Sequence, residues 1–180
     1  MEYQKRKHPR LSSYDYSQSG VYFITICTKD KKRILCDIVD GTSKPIVGRD
    51  DLGTPFYGIE IKYTPTGRIV DKYIKSITQN YENVSVDKYV IMPNHIHILI
   101  SLIPKDSRRA ESSRPTKISQ IIGVLKRLIN KEIGENIFQT SFYDHIIRDE
   151  EDYIIKWKYI EENPIKWLYY DEKEPDEIIT

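Results

Sequence analysis

The stretch Val84-Ser85-Val86-Asp87-Lys88-Tyr89-Val90-Ile91-Met92-Pro93-Asn94-His95-Ile96-His97-Ile98-Leu99-Ile100-Ser101-Leu102-Ile103 is the most apolar part of the chain. Its β-branched and aromatic content predicts two strands, 84–91 and 95–103. They part at Met92-Pro93-Asn94, because proline cannot donate a ladder hydrogen bond. Side chains alternate along a strand, so His95 and His97 share one face and Ile96, Ile98 and Ile100 share the other. The isoleucines can form core. Two imidazoles on one face can ligate one divalent cation, with further ligands from elsewhere. A His-x-His is equally what two partly buried sheet histidines look like. The chain holds only four histidines, and this face takes two of them.

Upstream, residues 21–28 (VYFITICT) read as a buried strand after Gly20, and 34–39 as a second short one. Residues 41–58 hold four glycines and two prolines and read as loop or hairpin; 59–63 alternate as a strand leaving it. Ile69, Val70, Tyr73, Ile74 and Ile77 have helical spacing and predict a helix at about 66–80. Downstream, 104–116 is rich in Arg and Ser and reads as a flexible basic loop. Ile118, Ile121, Ile122, Leu125, Leu128, Ile129 and Ile133 mark an amphipathic helix stopped by Gly134. A last helix is predicted from Asp149, with Glu150, Glu151 and Asp152 at the positive end of its dipole. Pro164 disfavours the helical conformation in the residue before it, which predicts an end near Asn163. Strands and helices mix without a regular βαβ repeat. The expectation is a single α+β domain over 1–180, with a mainly antiparallel sheet and helices packed on one face. A basic arm at 1–15 and an acidic tail at 169–180 flank it.

The 180 residues are 39% hydrophobic and 31% charged, which suits a folded chain rather than a disordered one. Two cysteines are too few for a disulfide framework or a cysteine-built zinc site. No apolar run is long enough for a membrane helix, and the first ten residues lack the apolar core of a secretory signal. A cytoplasmic protein with no membrane partner is the expectation. The net charge of +1 excludes a histone-like binder, but it averages unlike blocks. Residues 1–33 carry net +5, 105–131 net +6 and 149–180 net −7. Two basic blocks meeting in space would form a cationic surface suited to phosphates.

The H-E-x-x-H of zinc hydrolases and the P-loop pattern are both absent. Cys27 lies inside an apolar strand and reads as core. The last helix offers more: Tyr159 and Asn163 are four apart and share a face. A phenol beside an amide oxygen could serve a metal-assisted reaction, the tyrosine as nucleophile and the asparagine as third metal ligand. The same two residues could be a core-edge tyrosine and a helix cap beside Pro164.

Four segments together resemble the single-tyrosine HUH transposases, most closely the REP-associated tyrosine transposases. They are Tyr14-Asp15-Tyr16 followed by 20–28, Tyr89-Val90-Ile91-Met92-Pro93-Asn94-His95-Ile96-His97, Tyr143-Asp144-His145-Ile146-Ile147-Arg148, and Tyr159-Ile160-Glu161-Glu162-Asn163-Pro164-Ile165-Lys166-Trp167. The resemblance runs from about residue 5 to about residue 168. It implies a ferredoxin-like antiparallel sheet of the HUH endonuclease type. It implies that His95, His97 and Asn163 bind a divalent metal, Mg²⁺ or Mn²⁺, and that Tyr159 is the nucleophile. The implied reaction is cleavage and rejoining of single-stranded hairpin DNA through a 5′-phosphotyrosine link, which conserves bond energy for rejoining without ATP.

The basic blocks then acquire a use. Arg108, Arg109, Arg114, Lys117, Lys126 and Arg127 are expected to grip the phosphates of a hairpin, with Lys5, Arg6 and Lys7 as a second clamp and Arg148 closing a matching segment. Some of the 14 tyrosines could stack on unpaired bases. The sequence leaves monomer and homodimer equally open. The alternatives are a catalytically silent, domesticated hairpin-binding protein and a metal-dependent hydrolase of another phosphoester class.

Overall fold

The computed structural model describes residues 19–49, 55–103 and 117–170. The basic arm, the 104–116 loop and residues 171–180 of the acidic tail lie outside these. Strands β1 (Gly20–Cys27), β2 (Cys36–Arg49) and β3 (Pro55–Tyr63) lead into helix α1 (Pro65–Asn80). Strands β4 (Val84–Ile91) and β5 (His95–Leu102), helix α2 (Ile118–Ile133), strand β6 (Tyr143–Ile147) and helix α3 (Glu150–Tyr170) follow.

Four strands form one antiparallel sheet in the order β4-β5-β1-β6. Without the β2–β3 hairpin, the chain runs β1-α1-β4-β5-α2-β6. That is the split βαβ arrangement of a ferredoxin-like fold. The two central strands pair Ile24 with Ile98 and Ile26 with Ile96. These four, with Tyr22 and Ile100, are fully buried against Val70 and Ile74 of α1 and Ile121, Ile122 and Ile129 of α2. Each such side chain contributes about 1.5–3 kcal/mol by leaving water.

The other face is covered too. Phe23, Leu99 and Val90 pack there with Ile160 of α3 and with Ile38 and Ile61 at the base of the β2–β3 hairpin. This corrects the expectation of helices on one face only: α1 and α2 take one face and α3 the other. Burial on both faces is why the central strands read as nearly unbroken apolar runs. Of the two readings of the 41–58 stretch, loop or hairpin, its described residues 41–49 and 55–58 follow the hairpin, in a ladder that reaches Arg49↔Pro55 with register shifts on the way.

Local chemistry fixes the ends of the first two helices. The Thr64 side chain accepts from the Gly67 N–H at 3.0 Å, and Pro65 occupies the first turn, where its missing N–H costs nothing. Gly67 has to be glycine, because a Cβ there would strike the Leu35 carbonyl. Gly134 ends α2 at φ 89, a left-handed conformation that favours glycine. At the third helix the structure departs from the sequence reading. Helix α3 passes through Pro164 and continues to Tyr170, so Asn163 is no terminal cap. Proline inside a helix costs about 3 kcal/mol. Here Asn163 and Pro164 are buried and Trp167 packs against the second cluster, which offsets that cost. The helix also takes in the first two residues of the predicted tail, 169–170.

Candidate active site

His95 and His97 stand on the α3 side of the sheet, at 3% and 0% exposure. Their ring centroids are 4.6 Å apart. Each ring is held from behind. Asn94 Oδ1 lies 2.7 Å from His95 Nδ1, and Thr25 Oγ1 lies 2.9 Å from His97 Nδ1. Thr25 reaches His97 because β1 and β5 pair those two residues directly. An amide oxygen only accepts, so His95 carries its proton on Nδ1 and leaves a lone pair on Nε2. Both Nε2 atoms are buried and have no hydrogen-bond partner. Leaving a buried polar atom unsatisfied costs about 1–3 kcal/mol.

Protonation is no remedy for them. Burial, aided by the charge of Lys31, pushes His95 down to about 4. Burial, then His95, then Lys156 hold His97 well below the usual histidine range. Both imidazoles are therefore neutral near pH 7, the form that ligates metal.

Tyr159 comes down onto this pair from α3. Its ring meets His97 edge-on at 5.1 Å and Phe23 edge-on at 5.7 Å, while Phe23 stacks on His97 at 5.1 Å. Burial raises the phenol's pKa, and a hydrogen bond with Asn163 opposes the rise. Trp167, two turns beyond Tyr159, sits 6.0 Å from His95, with the Arg33 guanidinium 5.3 Å from its ring centre.

The four residues singled out from two distant segments thus converge in one place. The residues fit a divalent cation: two neutral imidazoles with orphaned Nε2 atoms lie beside a buried amide. Among the described residues no group of three or more His, Cys, Asp or Glu could hold a metal ion. An oxygen donor here would therefore come from the Asn163 amide, solvent or substrate.

The expected phosphate-binding residues are distributed differently. Lys5, Arg6, Lys7, Arg108, Arg109 and Arg114 lie outside the described residues. Lys117, Lys126 and Arg127 belong to α2 or its start, on the face of the sheet away from the histidines. Lys126 donates to the carbonyls of Gln139 at 2.9 Å and Ser141 at 2.8 Å, and so ties α2 to the segment before β6. Arg127 is exposed and lines a groove along α2 with Asn130 and Lys131. Arg148 is exposed in the short link between β6 and α3. Among the described residues, other cations lie close to the site: Lys31 and Lys156 act on His95 and His97, Arg33 lies over Trp167 and Lys166 over Tyr159. Lys31 and Arg33 were visible only as part of the N-terminal basic block, and Lys156 and Lys166 were hidden in a stretch read as acidic.

No family model matches the sequence. A Haemophilus influenzae protein named "Uncharacterized protein" is 30% identical over 92% of this chain and 94% of its own length. A second protein of that organism, named "Putative REP-associated tyrosine transposase", is 25% identical over 89% of this chain and 80% of its own. Among solved structures, a REP-associated tyrosine transposase bound to a REP hairpin shares the fold, with a TM-score of 0.58 and 20% identity. That match covers 87% of this chain and 74% of the other. Along nearly its whole length the chain is thus similar in sequence to a protein named as a REP-associated tyrosine transposase, and it shares the fold of a solved one.

Proposed function

We propose that the chain is a metal-dependent transposase or nickase that cleaves and rejoins single-stranded, hairpin-bearing DNA through a 5′-phosphotyrosine intermediate. The observation that carries this reading is the pair of buried, unpartnered Nε2 atoms of His95 and His97 directly beside Tyr159. His95, His97 and Asn163 would hold the metal, Mg²⁺ or Mn²⁺. When bound, it supplies Lewis-acid polarisation of the scissile phosphate.

The chain's own residues supply the rest. Tyr159 Oη attacks phosphorus in line. The P–O3′ bond breaks, its electron pair stays on the 3′ oxygen, and that oxygen ends as a hydroxyl protonated by solvent. The phenolic proton leaves to solvent. Asn163 orients the phenol, and its hydrogen bond counters the rise in pKa that burial imposes. Phe23 and His97 brace the ring on two sides. Rejoining is the reverse attack by a 3′-hydroxyl on the phosphotyrosine. The hairpin as substrate class rests on the hairpin bound to the structural neighbour.

The test is a denaturing gel with a labelled hairpin oligonucleotide carrying an unpaired flank. The wild-type chain with Mn²⁺ should form a denaturant-resistant adduct, and Tyr159→Phe should form none. An adduct in Tyr159→Phe overturns the role given to Tyr159. Tight hairpin binding without an adduct under any divalent metal supports the silent binding protein instead.

A further inference from the structure

Lys156 stands where α3 calls for an apolar side chain. Lys156, Ile160, Asn163 and Trp167 succeed one another at spacings of four, three and four, so they form one stripe of the helix. Ile160 and Asn163 in that stripe are buried, and Trp167 is half-buried against the second cluster. A lysine in such a stripe keeps its charge by lifting its ammonium toward water or an anion.

Other lysines of α3 are placed differently. Lys158 is exposed, and Lys166 pairs with Glu162 at 2.9 Å. Lys156 is half-buried, and among the described residues no carboxylate pairs with it. Its ammonium lies 5.4 Å from the centre of the Phe23 ring, the ring that stacks on His97 and meets Tyr159 edge-on. Its charge is also felt at His97. A cation therefore sits one aromatic ring away from both the nucleophile and an imidazole.

We propose that Lys156 is a phosphate-binding residue of this site, its ammonium meeting a non-bridging oxygen of the phosphodiester that Tyr159 attacks. The proposal rests on the reaction given above and adds to it a fixed positive charge carried by the chain itself. Lys156 acts here as a charge and not as a base, and the phenolic proton leaves to solvent. Its part is to neutralise charge on the phosphate while the Tyr159 Oη–P bond forms and the P–O3′ bond breaks. In a partly dry site a fixed charge acts more strongly than in water.

The test uses the full chain and two variants. Lys156→Met keeps the apolar stem on Phe23 and removes the charge; Lys156→Arg keeps the charge. With a hairpin oligonucleotide and Mn²⁺, Lys156→Met should slow single-turnover adduct formation about 100-fold or more. Lys156→Arg should stay within about tenfold of wild type, and neither variant should weaken Mn²⁺ binding. In a Tyr159→Phe background without metal, Lys156→Met should also reduce the slope of log affinity against log salt by about 0.7, the loss of one single-strand phosphate contact. A wild-type adduct rate in folded Lys156→Met overturns the proposal. So does an equal loss in the Met and Arg variants with an unchanged slope, which would mean packing only. If the wild-type chain forms no adduct with any metal, the reaction itself fails, and the salt slope alone decides Lys156. If Lys156→Met does not fold, Lys156→Gln replaces it in both measurements.

Discussion

Each imidazole of the site is aimed by a neighbour the reaction never touches. Asn94 Oδ1 at 2.7 Å fixes the His95 tautomer, and Thr25 at 2.9 Å fixes the ring of His97. Such supporting hydrogen bonds raise ligand basicity and hold ring orientation. Asn94→Leu should therefore weaken Mn²⁺ binding by about 10–100-fold while His95 and His97 remain in place. Isothermal titration of the variant checks this, and wild-type affinity would show that Asn94 does not orient the ring. Asn94 stood in the quoted strand-break segment, but its role needed the turn that folds its side chain back onto the next residue. Thr25 lies 72 positions from His97, and only strand pairing brings them together.

The elements hold the site through their ends and seams. Thr64 does two jobs at the start of α1. It accepts from Gly67 N–H, and its hydroxyl donates toward the carbonyls of Ile34 at 2.7 Å and Leu35 at 3.0 Å. The helix is thereby tied to the chain entering β2. Thr64→Ala should cost about 1–2 kcal/mol, read as a lower urea midpoint, with Thr64→Ser recovering most of it. A loss of only a few tenths would mean solvent replaces the cap. Helix α3 shows the reverse balance. Its local signal at Pro164 says stop, but tertiary packing of Asn163, Pro164 and Trp167 carries it on. Its start is tied down as well. His145 Nε2 lies 2.7 Å from Asp152, and the phenol of Tyr153 donates to Asp87 at 3.4 Å. These contacts hold the helix that carries Tyr159 against β6 and β4.

At the scale of the molecule, several acidic protons are locked into the folded state. Burial, and then the charge of Asp37, push the Cys36 thiol up to about 12; the thiol donates to the Ile91 carbonyl at 3.2 Å. Burial and a hydrogen bond to Asp71 raise the Tyr89 phenol, and burial raises Tyr63 and Tyr159. The folded chain thus keeps protons that the unfolded chain loses first. The stability from these groups is complete below about pH 9 and declines as pH rises toward 12. Thermal midpoints should hold steady between about pH 7 and 8.5 and fall clearly by about pH 11, with Cys36→Ala flattening part of the fall. A level midpoint up to pH 11 would refute this. Among the described residues no helix is long and apolar enough to cross a membrane.

Much of this protein was legible in its residues. Periodicity located α1, α2 and the paired strands β4 and β5, because alternation and helical spacing are local properties of a chain that must bury one side. Strand alternation alone put His95 and His97 on one face, and helix spacing put Tyr159 beside Asn163. Burial of the sheet on both faces was not legible, since an unbroken apolar strand does not name what covers it. Nor could spacing reveal that α3 crosses Pro164, that two Nε2 atoms are left without partners, or that Lys156 faces inward from an acidic stretch. Those depend on contacts between residues far apart in sequence, whose energies outweigh local preference only once the sheet and its two covering layers are assembled.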